Sequence, residues 1–181
     1  LNWTFAPMLD VSRDARWGRI MEGAGEDTYL NTVIGVARVQ GFQGTDLSKT
    51  YTIAACAKHF AGYGFGEAGR DYNTVNVGEN ELHNAILPPF KAAAQAGVAT
   101  FMNSFNEIDG VPATGSHMLQ RDILKGDWNW DGFMVSDWGS IGEMIAHGYA
   151  KDKKHAAQIA LNAGSDMDME SYAYEAHLES L

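Results

Sequence analysis

Cysteine is all but absent. Cys56 stands alone among 181 residues, which excludes an internal disulfide and any zinc site built on several thiolates. It lies inside the apolar stretch "TIAACAKHF", where a small core side chain is expected rather than a nucleophile. Basic residues are scarce too: 13 Lys and Arg face 23 Asp and Glu, for a formal charge of −10. That balance argues against nucleic acid or an anionic membrane as the main partner, whereas a neutral ligand such as a sugar meets no repulsion. No apolar run approaches the length of a membrane span, and no leader pattern opens the chain, so neither a membrane helix nor a signal peptide is expected. The first residue is Leu rather than Met, and "LNWTFAPMLDV" is already entering a strand. A piece of a longer protein is therefore expected. Its compartment is left open, a periplasmic or secreted one included.

What is present is the composition of one soluble globular domain, 45% apolar and 20% charged. Aromatics make up 11%, with five Trp, which serves carbohydrate stacking and core packing equally. Four apolar runs read as buried strands: residues 5–11 (FAPMLDV), 52–60 (TIAACAKHF), 98–106 (VATFMNSFN) and 132–138 (GFMVSDW), with a weaker fifth at 165–170 (SDMDME). They are mostly continuous rather than alternating, as in parallel strands covered on both faces.

Helical patterns fall between them. Residues 26–44 place Tyr29, Val33, Val36 and Val39 on one side, with acidic residues first and Gly41 near the end. Residues 79–97 begin a helix through Leu82 and Ile86, break at Pro88-Pro89, and resume until Gly97. Leu119, Ile123 and Leu124 follow Ser116 as N-cap, with Gly126 closing. Ala156, Ile159, Ala160 and Ala163 precede Gly164. Strand–helix alternation means parallel α/β. A doubly wound sheet and a (β/α)8 barrel both fit the periodicity. Polar residues at the strand ends (Asp10, Lys58-His59, Asn103 with Asn106, and Asp137) favour the barrel, whose strand ends converge on one mouth. A whole barrel takes about 250 residues, so residues 1–181 are expected to form an incomplete one.

Four motifs could carry chemistry. In "GFMVSDWGS" a buried strand ends at Asp137, beside Trp138. A carboxylate held there, partly dry, suits a nucleophile on an anomeric carbon; an N-cap for the helix that follows explains it as well. In "AKHFAGYG" Lys58 and His59 offer donors to sugar hydroxyls at the same strand-end level. In "RDARWGRIMEGAGED" Arg16 or Arg19 could fork hydrogen bonds, although ion pairs to Glu22, Glu26 or Asp27 are expected for Arg13 and Arg16. The loop "EAGRDYN" could reach over the mouth.

Together, "RDARWGR", "AACAKHFAGYG" with "GRDYN", "NSFNEIDGVPAT" and "GFMVSDWG", in this order and over the whole chain, closely resemble family-3 glycoside hydrolases of the β-glucosidase branch. The resemblance implies the central part of an N-terminal (β/α)8-type domain and a retaining mechanism with a covalent glycosyl-enzyme. It implies Asp137 as nucleophile, and Arg19, Lys58, His59 and Trp138 as substrate-binding residues for a β-glucoside or oligosaccharide. Asp71 and Phe105 are secondary candidates. Phe105 departs from members that carry a Tyr near the nucleophile. The family's sugar-gripping Asp precedes "FAP" and falls outside these residues, and the acid/base Glu usually comes from a C-terminal domain, also outside them. The β-N-acetylglucosaminidase branch reads "KHFPGHG", where this chain has Ala61 and Tyr63. No cofactor and no metal are expected. The rival readings are a β-xylosidase of the same family, a carbohydrate-binding protein without catalysis, a metal-dependent barrel hydrolase, for which the six His are too scattered, and a phosphate-binding barrel, for which "NAGSDMDME" is a poor loop.

Overall fold

A computed structural model of the chain describes residues 1–72 and 74–181; Asn73, the last residue of "GRDYN", lies outside the described residues. Three of the expected strands form a parallel sheet in the order β1 (Cys56–Phe60), β2 (Thr100–Asn103) and β5 (Phe133–Val135). Between β2 and β5 lies a small antiparallel hairpin of β3 (Glu107–Ile108) and β4 (Val111–Pro112). Both outer expectations join the sheet as further staves. Trp3 and Met8 bridge in parallel to Ala54 and Lys58, outside β1, and Met167 bridges in parallel to Val135, outside β5.

The register links Cys56 to Thr100 and Thr100 to Phe133, and then Met102 to Val135. Five staves thus stand side by side in chain order. A doubly wound sheet reverses its strand order at a switch point. This sheet does not, so the arc is that of a (β/α) barrel.

Helices cross over between the staves: α1 (Thr28–Gln43), then α2 (Glu79–Glu81) running through a π-helical turn at Leu82–Ile86 into α3 (Pro88–Gln95), then a π-helical segment at Met118–Asp127. After β5 come α4 (Ser140–Glu143), α5 (Lys153–Ala163) and α6 (Ala173–His177). Pro88 opens α3, as the break at Pro88-Pro89 requires. Gly97 and Gly164 close α3 and α5 at positive φ. The Ser116 hydroxyl accepts the Leu119 N–H and caps the π-helical segment, which continues through Gly126 to Asp127.

The α1 face is a correction. The Asp27 carboxylate caps the helix at Leu30, which runs past Gly41 and ends at Gly44 with φ of 56°. Its buried residues are Asn31, Gly35, Val39 and Gln43, while Tyr29 and Val33 are exposed. A Cβ on Gly35 would stand 2.6 Å from a methyl of Leu9, so the helix reaches the sheet through a missing side chain. Gln43 then ties two staves. Its carbonyl accepts from the N–H groups of Ala55 and Ala99, at 3.2 and 2.8 Å, and its amide donates to Gly97. Of the expected apolar face only Val39 is buried, and an apolar period cannot register the glycine and amides that complete the contact.

The main core lies between sheet and helices and includes Leu9, Phe60, Phe90, Phe101, Leu119 and Met134. It fixes the staves, and the stave ends carry the polar groups described next.

Candidate active site

The stave ends do not all contribute alike. Asn103, expected at the mouth, is fully buried in a closed polar network. Its amide donates to Ser165 at 2.7 Å, its carbonyl accepts from Thr114 at 3.0 Å, and Ser165 donates to Gln120 at 3.0 Å. Asn106 is likewise buried and donates to the Ala61 carbonyl at 3.3 Å. Both asparagines hold elements together.

The ends of the first stave, β1 and β5 meet differently. His59 is 1% exposed. Its backbone N–H and its ring Nδ1 both contact Asp10 Oδ2, at 2.9 and 2.8 Å. A carboxylate only accepts, so the proton sits on Nδ1 and Nε2 is turned the other way. There it stands 3.5 Å from Asp137 Oδ2. The Lys58–His59 and Phe60–Ala61 peptide bonds are cis.

Asp137 is 8% exposed. Its Oδ1 accepts the Trp138 N–H at 2.7 Å, and its buried Oδ2 receives no hydrogen bond among the described residues. Burial pushes the carboxyl pKa up, against the pull of His59, the Trp138 N–H, Lys58 and Arg19. The helix-cap alternative fails here: α4 starts only at Ser140, behind Gly139 with φ of 69°, and no side chain caps it. The Trp138 indole is 63% exposed at the rim.

Arg19 makes a two-pronged ion pair with Glu22, at 2.6 and 2.8 Å, and its guanidinium lies 5.2 Å over the Tyr63 ring. Lys58 faces a cleft shared with Glu22, Phe5 and Arg38. Glu22 is held below the usual carboxylate range, first by Arg19 and further by Lys58 and His59. Arg19 and Glu22, with Lys58 facing the same cleft, therefore form one charged group next to His59 and Asp137.

Arg13 and Arg16 stand apart, and their expected partners do not take them. Arg16 pairs with Asp14 at 2.6 Å in solvent, and Arg13 lies 5.4 Å over Phe65. Asp71 works from below the site. It accepts from the Trp17 indole at 3.1 Å and from the Tyr63 hydroxyl, pinning the "GRDYN" loop to the aromatic floor. Phe105 belongs to that floor, packed with Met8, Trp17 and Tyr63, and Tyr63 stands edge-on to His59 at 5.0 Å.

Sequence reasoning missed four participants. Asp10 was visible as a strand-end carboxylate, but nothing local reveals a partner 49 residues away. Tyr63 and Glu22 sat inside motifs read for other residues. Glu143, on α4, has a buried Oε2 without a partner and a pKa raised by burial and then by Asp137. Among the described residues, no three His, Cys, Asp or Glu side chains cluster as metal ligands.

Comparison with known proteins matches residues 1–181 to the Glycosyl hydrolase family 3 N terminal domain. A periplasmic beta-glucosidase of Salmonella typhimurium is 45% identical over the whole chain, which covers 24% of that protein. A beta-xylosidase of Formosa agariphila is 39% identical over 91% of the chain, again 24% of the relative. The crystal structure of a beta-glucosidase from Listeria innocua in complex with isofagomine superposes with a TM-score of 0.97 at 48% identity, covering 99% of this chain and 26% of that one. The chain spans about a quarter of the length of these relatives.

Proposed function

This chain belongs to glycosyl hydrolase family 3, and on that premise we propose that it carries the nucleophile half of a retaining glycosidase site acting on β-linked glucosides. The observation that carries the reading is Asp137 Oδ2, a buried carboxylate oxygen with no donor, aimed at the edge of an oriented imidazole. An oxygen so placed is desolvated and free to attack.

In the first step Asp137 Oδ2 bonds to the anomeric carbon as the bond to the leaving oxygen breaks, and that oxygen takes a proton from an acid. In the second, water loses a proton to the same group and displaces Asp137, releasing the sugar. His59, held by Asp10, and Lys58 hold hydroxyls of the sugar next to the cleaved bond. Arg19, itself fixed by Glu22, does likewise, and Trp138 walls the ring. Retaining chemistry needs two carboxyl groups about 5–5.5 Å apart. We assign the acid/base to a part of the longer protein beyond these residues, so the isolated chain would be weakly active or inactive. Glucosides are preferred to xylosides because identity to the glucosidase relatives, 45 and 48%, exceeds the 39% to the xylosidase.

The test is mass spectrometry after incubation with an activated 2-deoxy-2-fluoro-glucoside, whose good leaving group does not call on the acid. A glycosyl adduct on the peptide carrying Asp137, absent in Asp137→Ala, is expected. A full-length protein that carries this chain and turns over glucosides with its adduct elsewhere would sink the assignment.

A further inference from the structure

Tyr72 lies flat on Phe105, with ring centroids 3.9 Å apart and 3° between the planes. Phe105 is itself fixed by Tyr63, at 4.6 Å edge-on, and Tyr63 by Asp71. One face of Tyr72 is thus clamped, yet the residue stays 49% exposed. Its backbone holds φ of 58°, a value uncommon for a bulky residue. The result is a rigid aromatic shelf with an accessible side.

That shelf borders a hollow of about 250 Å³ lined by Tyr72, Glu143, Ala146 and His147. Glu143, which lines it, carries a buried Oε2 that has no partner among the described residues. The Phe105 ring under Tyr72 lies 6.3 Å from the His59 ring, whose Nε2 stands 3.5 Å from Asp137, and Glu143 sits on α4, which opens three residues after Asp137. The hollow therefore lies beside the proposed nucleophile. It is reached from α4 and the "GRDYN" loop, whereas Lys58, His59 and Arg19 approach Asp137 from β1 and the loop after the first stave.

We propose that Tyr72 and Glu143 form the subsite for the leaving group, and that they select a second sugar ring there. This rests on the glycosidase reading. A pyranose has C–H-rich faces that lie on an aromatic ring and edge hydroxyls that donate to a carboxyl oxygen. The clamped Tyr72 supplies the first and Glu143 Oε2 the second. A leaving group of one atom would reach neither.

The experiment uses a full-length protein carrying this chain and compares kcat/KM for a β-linked glucobiose with kcat/KM for β-glucosyl fluoride. The ratio of the two isolates the leaving-group site, because the glucosyl half is shared. Tyr72→Ala is expected to lower the ratio about tenfold, the scale of removing one aromatic anchor. Glu143→Gln, which keeps the shape, lowers it several-fold and remains readable if Tyr72→Ala misfolds. Tyr72→Phe keeps the shelf and holds the ratio near that of the parent. A parent that turns over both substrates, with variants that leave the ratio unmoved or depress both substrates equally, overturns the subsite alone. A parent that turns over neither overturns the glycosidase reading and the subsite with it.

Discussion

At the end of β2, Asn103 donates to Ser165 and accepts from Thr114, while Ser165 and Gln120 complete each other. At the ends of β1 and β5, His59 and Asp137 are nearly as buried, but the carboxylates around them are left incomplete. Among the described residues Asp10 Oδ1 and Asp137 Oδ2 have no donor, nor has Glu143 Oε2. An unmet buried polar group costs about 1–3 kcal/mol, so a fold that closes one cluster and leaves its neighbour open is holding the open one for something else. Completeness, more than burial or residue type, separates scaffold from site here.

Breaking the open cluster at its centre has the largest expected effect. Asp137→Ala lowers kcat on an activated glucoside by about 10⁴-fold or more, as loss of a covalent nucleophile does, measured in a full-length protein carrying this chain. One position out, Asp10→Asn leaves Asp137 in place but disturbs the ring that faces it. A loss of about 10²-fold in kcat is expected, the scale of a small misplacement near the reacting atoms, with folding intact by circular dichroism. An unchanged kcat would mean that Asp10 only fills space.

The closed cluster breaks the other way. Asn103→Ala strands the groups around Ser165 and Thr114 and lowers stability by about 1–3 kcal/mol, read from denaturant unfolding, while kcat/KM stays within a few-fold. If activity fell more than stability, the contrast between the clusters would collapse.

The smallest effect concerns protons. In the proposed mechanism Asp137 attacks as the anion, and burial raises its pKa. Activity therefore falls, as pH drops, at a point above the ordinary carboxylate value of 3.8. Lys58 pulls that point down, so Lys58→Met moves the acid limb of the kcat/KM profile to higher pH. A carboxyl whose folded-state pKa is raised binds its proton more tightly folded than unfolded, so its contribution to stability is present at low pH and lost as pH rises through the raised value. Asp137→Asn accordingly raises the thermal midpoint at neutral pH, with the gain shrinking as pH falls toward 3.8.

Much of the frame could be read from the chain. The apolar runs at 5–11, 52–60, 98–106 and 132–138 are staves or extend from them, because a strand buried on both faces writes itself as a continuous run. Their serial order could not be read, since periodicity carries no neighbour information. The hairpin β3–β4 has only two residues in each strand, too few to show a period, and Asp109-Gly110, both at positive φ, is its one local mark. The α1 face was misread because Gly35 and Gln43 make its contacts. At the site, residue types and strand-end positions pointed to His59 and Asp137. Which strand-end amides were already satisfied depends on partners as far off as the 62 residues between Asn103 and Ser165, and no local pattern records that.

The serial order of the staves also bears on how the chain comes together as it is made. Each stave pairs with the one synthesised just before it, so every new strand emerges beside a template already in place. Strand pairing of this kind closes loops of modest length, which favours fast assembly. The chemical centre is built on the same schedule. Asp10 is made first and waits for His59, and Asp137 reaches them only after three staves are laid. Asp137, the proposed nucleophile, is the last of the three to arrive, beside an Asp10–His59 pair that is already standing.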